Sequence, residues 1–250
     1  MTMMFRTALA FAALLSLTAC QKAEDAAFGQ KVRAYLLAHP EVIEEAVTKL
    51  QANKEVEAAK VAKAGLVKHR KALENDPRDF VANPNGKITV IEFFDYRCGY
   101  CKTSAPEVLK IIAENPDVRF VFKDYPIFRG DSLLAAQSAL SASAKPKTLV
   151  LYREFMAERA LNEVSIDRHL RAAGVDPAQA KAAGRGAAVQ QHLRDNWELA
   201  QSLGIDGTPA FIVGERMISG ADIAALRAAI AEAKTGKLKT INQAQVDIAS

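Results

Sequence analysis

The sequence predicts an α/β fold carrying a helical insertion and an N-terminal helical extension, and three observations lead there. Ile88 to Phe94 is a nearly continuous apolar run, as expected of a central strand buried on both faces. A helical pattern from Cys101 to Glu114 separates it from a second strand-like run, Val118 to Phe122, so the sheet starts as β-α-β. After a helical stretch, Ala210 to Val213 and Arg216 to Ser219 flank Gly214-Glu215, a two-residue hairpin signal, and Asp222 to Ala233 makes a last helix.

The elements follow in chain order. Arg6 supplies a positive start, Ala8 to Leu17 is a short apolar stretch and small residues follow, whereas a membrane span needs about 20 apolar residues. Residues 1–20 therefore read as a secretory signal. Leu17-Thr18-Ala19-Cys20 resembles the lipobox of bacterial lipoproteins, which implies acylation of Cys20 as the first residue of the mature chain; the other reading is an ordinary signal cleaved nearby, with Cys20 a bystander. Cysteine arithmetic favours acylation: of 3 cysteines, Cys98 and Cys101 form a CxxC pair, and a spare reactive thiol is a hazard in an oxidising compartment. Gln21 after the cysteine points to the outer membrane in that class.

Residues 21–27 are small and polar, as in a tether. Residues 28–76 read as a helical extension of two helices, with Val32, Tyr35 and Leu36 on the first, a break at His39-Pro40, and an apolar stripe of Ile43, Ala46, Val47 and Leu50 on the second. The stripe thins beyond Leu50. Leu36, Ile43 and Leu50 repeat every seven residues, but Glu57 and Ala64 follow, so a sustained coiled coil is poorly supported. Self-association through residues 28–75 is expected over packing back on the chain's own domain. Asn83-Pro84-Asn85-Gly86 makes a turn before the first strand. Helices are expected over Asp131 to Ala144, Thr148 to Ala160, Ser165 to Ala173 and Pro177 to Leu203, with Ser165 and Asp176 as caps; this insertion of roughly 70 residues is large enough for a core of its own. The main domain spans 87–235 and a tail 236–250.

Composition narrows the function. At 250 residues, 50% hydrophobic and 25% charged, the chain buries a full core; its net charge of +4 is too mild to argue for a nucleic-acid partner. His39, His69, His169 and His192 are scattered and read as surface or capping residues, without the spacing of a zinc site. No loop cradles a phosphate, Gly184-Arg185-Gly186 reads as structural, Trp197 reads as core, and no cofactor is called for.

Cys98-Gly99-Tyr100-Cys101 is the informative feature. Two thiols separated by two residues at a helix start are close enough to form a disulfide, and the first meets the unpaired N–H groups and positive dipole end that stabilise a thiolate. Cys98 fits a partly exposed attacker and Cys101, one turn inward, the resolver. Arg97 and Lys102 add positive charge, or are plain surface cations; Asp95 offsets them.

Phe93-Phe94-Asp95-Tyr96-Arg97-Cys98-Gly99-Tyr100-Cys101, then Val121-Phe122-Lys123-Asp124-Tyr125-Pro126-Ile127, then Gly207-Thr208-Pro209-Ala210-Phe211, resemble the DsbA-like family of periplasmic thiol-disulfide oxidoreductases. The resemblance implies a thioredoxin fold interrupted by a helical domain. Val32 to Leu50, with His39-Pro40-Glu41-Val42, resembles the N-terminal extension of a lipoprotein or copper-tolerance-associated branch. The DsbA-like resemblance further implies that Pro209 is cis and faces the CxxC, with Thr208 pairing an extended substrate strand; Tyr100 either offers substrate an apolar face or shields the sulfurs. Gly-Tyr between the cysteines, with Thr before the proline, is similar to disulfide isomerases rather than to the strong oxidases. The implied partners are unfolded or misoxidised secreted proteins and a membrane redox partner. Glu92 is the odd residue in an apolar strand: either a strand-end carboxylate reaching water or, as its position in the family pattern implies, a proton relay for Cys101, with Lys123 as its charge partner. A second function class, a copper-binding or copper-protective thiol module, rests on the affinity of paired thiolates for Cu(I).

Overall fold

The computed structural model describes residues 28–238, with side chains described for all of these except 54–59, 61 and 62. Cys20, the signal 1–20, the tether 21–27 and residues 239–250 of the tail lie outside the described residues. The chain divides into two compact units between Glu57 and Ala58.

In the first unit, helix α1 (residues 28–38) stops at His39-Pro40 and α2 (Glu41–Lys68) starts at once, because proline cannot continue a helix but suits the opening of the next. The Tyr35 and His39 rings meet at 4.6 Å, and His39 Nδ1 lies 3.0 Å from Glu41 Oε1 across the break. Ile43, Val47 and Leu50 are exposed, as are Phe28, Val32, Tyr35 and Leu37.

The second unit is built on a five-stranded sheet of order β1-β3-β2-β4-β5. Its strands are β1 (Phe80–Ala82), β2 (Ile88–Phe94), β3 (Val118–Asp124), β4 (Ala210–Val213) and β5 (Arg216–Ser219). β2 runs parallel to β3 and antiparallel to β4, with Glu92 opposite Phe122 on one side and Phe211 on the other. Helix α4 (Gly99–Glu114) makes the β2-to-β3 crossover. β1 has no expectation in the sequence: three residues ended by Asn83, whose φ is +50°, are too short to show a period.

Alternation along β2 divides the core. Val90 and Phe94 join Phe120, Phe122, Phe211, α4, α10 (Ile223–Lys234) and the insertion; Ile91 and Phe93 join Val121, Ile212, Leu199, Leu203 and Ile205 on the other face. Leu66, Val67 and Leu73, from the end of α2 and from α3 (Arg70–Glu74), are buried in that second cluster. The expected boundary of the extension at residue 76 therefore falls late, since these side chains complete the sheet's core.

The insertion departs from its expected bounds for local reasons. α5 (Asp131–Ala139) ends early because Ser141 Oγ donates to Ser138 O at 2.8 Å and offers the chain a turn in place of a helix. A 3-10 turn over Lys145–Lys147 and α6 (Thr148–Ala157) follow. α7 (Glu163–Ala172) is capped by Asn162 rather than Ser165; the two form a reciprocal capping box, Ser165 N donating to Asn162 Oδ1 at 3.0 Å and Asn162 N to Ser165 Oγ at 2.9 Å. The single helix expected to Leu203 is two, α8 (Pro177–Gly184) and α9 (Ala187–Ser202), broken at Arg185-Gly186. Asp176 caps α8 through Gln179 N at 2.8 Å.

Candidate functional site

The site forms where β2 runs into α4. The helix starts at Gly99, two residues earlier than its apolar pattern shows, so Cys98 is itself the N-cap, with extended backbone (φ −67°, ψ 122°). Asp95 sets the loop before it. Its buried carboxylate accepts from Arg97 N at 2.7 Å and from Phe128 N at 3.0 Å, and its carbonyl accepts from Cys98 N at 3.1 Å.

Cys98 and Cys101 are free thiols, and Cys98 Sγ donates to the carbonyl oxygen of Thr208 at 3.1 Å. The Thr208–Pro209 peptide is cis. Cys98 is 4% exposed and Cys101 fully buried, so the first sulfur is less open than the chemistry suggests from sequence; it sits under Thr208. Its thiol is nevertheless lowered to about 5, chiefly by the hydrogen bond from Cys101, with Thr208 and the Cys101 and Tyr100 N–H groups adding to it and burial opposing it. Burial, the hydrogen bond to Cys98 and the negative charge of Glu92 hold the Cys101 thiol far above the ordinary range. One sulfur is thus poised as an anion and the other kept protonated. Arg97 and Lys102 are otherwise engaged: Arg97 lies 4.0 Å from Asp131, and Lys102 Nζ donates to the Glu158 carbonyl.

Glu92 is fully buried, not a strand-end group reaching water. Burial pushes its carboxyl up to about 8 while the Tyr152 hydroxyl, 3.0 Å and 3.2 Å from its two oxygens, pulls it down. Lys123 is not its partner. Strand alternation puts Lys123, in register with Phe93, on the opposite face, where Nζ donates to Asp79 Oδ2 and, at 2.6 Å, to Ala72 O.

His192 is buried rather than a surface residue, its Nε2 3.2 Å from Asp79 Oδ1. Trp197 is exposed, at 37%, rather than a core residue, its ring 5.0 Å from that of Tyr125 and 6.0 Å from the Arg129 guanidinium. Tyr100 is 71% exposed. Among the described residues no group of three or more His, Cys, Asp and Glu is placed to hold a metal ion. Two neighbours escape sequence reasoning. Tyr152 comes from the insertion, 60 residues from Glu92, with nothing in its local pattern to mark it. Phe128 is exposed on a loop whose next residues, Arg129 and Gly130, have φ of +51° and +49°.

Residues 89–231 match the DSBA-like thioredoxin domain, and residues 24–57 the copper resistance protein ScsC N-terminal domain. A thioredoxin-like oxidoreductase from Silicibacter pomeroyi aligns with TM-score 0.63 and 34% identity over 66% of this chain and 98% of that one. ScsC from Proteus mirabilis, in a transitional conformation, gives TM-score 0.63 and 29% identity over 86% of this chain and 97% of that one. The thiol:disulfide interchange protein DsbA of Bordetella pertussis is 29% identical over 140 residues, 54% of this chain and 66% of its own length, so the chain spans about two thirds of that relative. With its paired thiols at the helix start, the chain belongs to the DSBA-like thioredoxin domain family of thiol-disulfide oxidoreductases.

Proposed function

We propose that this protein is a periplasmic thiol-disulfide interchange protein acting on unfolded or misoxidised secreted proteins, with isomerisation favoured over oxidation. The observation that carries this reading is the Cys98 sulfur, lowered to about 5 at the helix N-cap and 3.1 Å from the Thr208 carbonyl. The Cys98 thiolate attacks a substrate disulfide, one substrate sulfur leaves with the electron pair, and a mixed disulfide remains. In isomerisation that freed thiolate attacks elsewhere in the substrate and Cys98 is finally released. When the substrate stalls, Cys101 gives up its proton to Glu92 and displaces the substrate sulfur from Cys98. Thr208 presents backbone to an extended substrate segment, and exposed Tyr100 offers it an apolar contact.

An isomerase gains from several sites around one substrate. The exposed Ile43, Val47 and Leu50 support self-association through the extension, and acylation of Cys20 would tether the assembly to a membrane, the outer one favoured. Reactivation of a scrambled disulfide protein, run beside oxidation of a reduced peptide, tests the activity. Fast oxidation with no reactivation overturns the isomerase reading. Ile43→Lys with Leu50→Lys should lower both the mass in solution and the reactivation rate while leaving peptide oxidation intact.

A further inference from the structure

The Glu92 carboxyl lies in an apolar layer between Phe122 and Phe211, and Tyr152 is its side-chain hydrogen-bond partner among the described residues. A carboxylate there loses its hydration, so its charged form depends on whatever donor the protein supplies. Tyr152 is fully buried and cannot swing away. Its ring is packed edge-on against Phe94 at 5.3 Å, Phe122 at 5.0 Å and Tyr96 at 6.4 Å. Helix α6 of the insertion thus reaches into the sheet to touch the strand that leads to Cys98.

We propose that Tyr152 is a positioning residue for the resolving step: its hydroxyl fixes the Glu92 carboxylate and sustains it as the acceptor of the Cys101 proton. This rests on the reading of Glu92 as that acceptor. In the step, the Cys101 S–H proton passes to Glu92, and the Cys101 sulfur attacks Cys98 Sγ. The bond between Cys98 and the substrate sulfur breaks as the Cys98–Cys101 disulfide forms. The substrate leaves as a thiolate with the electron pair and takes a proton from solvent, and Glu92 later returns its own to solvent.

The groups acting on Glu92 are Cys101 from α4, Tyr152 from α6, Tyr96 from the loop after β2 and Asp124 from the end of β3. All are acids, and each ionised form disfavours a second negative charge nearby. The cation of the neighbouring strand, Lys123, is on the far side of the sheet. The Tyr152 hydroxyl therefore opposes both burial and like charge, and removing it moves Glu92 toward its neutral form.

The test uses the full chain, reduced, mixed with an aromatic disulfide that releases a coloured thiol. The first release reports attack by Cys98 and the second resolution by Cys101, each followed from about pH 5 to 9. In the unaltered protein the second phase should rise with a midpoint near 8. Tyr152→Phe should raise that midpoint by about one unit and slow resolution at neutral pH about tenfold, with the first phase unchanged. Glu92→Gln should abolish the midpoint, and adding Tyr152→Phe to it should change nothing more. If Glu92→Gln leaves the profile as it was, the reading of Glu92 fails. If Glu92→Gln removes the midpoint but Tyr152→Phe leaves it in place, or slows both phases alike, the role of Tyr152 is overturned. Should Tyr152→Phe not fold, 3-fluorotyrosine placed at 152, a stronger donor of nearly the same shape, should lower the midpoint, and an unmoved midpoint overturns the proposal.

Discussion

The Cys98 sulfur and the Thr208 carbonyl oxygen meet at 3.1 Å although 110 residues separate them in the chain. The pairing brings the β2–α4 loop against the start of β4, so Cys98 and the segment preceding Pro209 lie side by side. Among the described residues the buried Thr208 hydroxyl has no hydrogen-bond partner in the dithiol state, which leaves its proton available to the sulfur once Cys98 ionises.

Alkylation of Cys98 should therefore rise with pH through a midpoint near 5 and level off well below the range of a free thiol. Cys101→Ala removes the largest contribution and should shift that midpoint upward most; Thr208→Val should shift it upward by less. Iodoacetamide rates on the two variants and the unaltered chain decide the order. A midpoint in the ordinary thiol range would remove the basis for Cys98 as attacker.

Glu92 gives stability a pH dependence of known sign. Its carboxyl is raised from 4.5 to about 8 in the folded state, so the folded chain holds a proton that the unfolded chain releases between those values. The contribution is intact below 4.5 and lost as pH rises through 8. Glu92→Gln, which cannot ionise, should match the unaltered protein near pH 4 and exceed it by an amount that grows up to pH 8, reaching on the order of 5 kcal/mol before levelling off. Denaturant melts at four or five pH values would show it.

Strands β2, β4 and β5 are legible in the sequence to the residue because β2 and β4 are largely apolar runs and β4 and β5 flank the two-residue turn Gly214-Glu215. Cys98 and Cys101 stand out because reactive residue types at short, fixed spacing are a one-dimensional signal, whereas Pro209 is marked only by the resemblance of Gly207-Thr208-Pro209-Ala210-Phe211 to the family motif. Tyr152, Lys123 and His192 are the opposite case. Their roles depend on which face of an element they occupy and on what packs there, and that follows from tertiary contacts rather than from local period. Lys123 shows how little separates the two outcomes: one step along β3 moves it from the Glu92 face to the Asp79 face.

The Lys123–Asp79 pair is fully buried and joins β3 to the segment that follows α3, with His192 of α9 beside it. Breaking such a pair leaves one uncompensated charge inside, so Lys123→Met should cost about 3–5 kcal/mol. Lys123→Met with Asp79→Leu should cost much less than the sum of the single changes, because no charge is stranded. Urea denaturation of the three variants measures the coupling; additive losses would mean the two side chains act independently.

Two glycines separate close packing from chemistry. A Cβ on Gly184 would lie 2.3 Å from the carbonyl oxygen of Gln137 and 2.6 Å from its carbonyl carbon, backbone atoms that cannot rotate aside. Gly184 lets α8 approach α5 at this distance, and the break between α8 and α9 follows at Arg185-Gly186. Gly184→Ala should cost about 1–3 kcal/mol through overpacking and leave the Cys98 alkylation midpoint unmoved. Among the described residues, nothing lies within 4 Å of the corresponding position on Gly99, between the two cysteines. Gly99→Ala should hold or slightly raise thermal stability, since alanine suits the first turn of α4 better than glycine does. Thermal melts of the two variants beside alkylation profiles distinguish the roles: a stable Gly184→Ala protein would show that α8 slides freely on α5, and a destabilised Gly99→Ala protein that the helix start has no room for a methyl group.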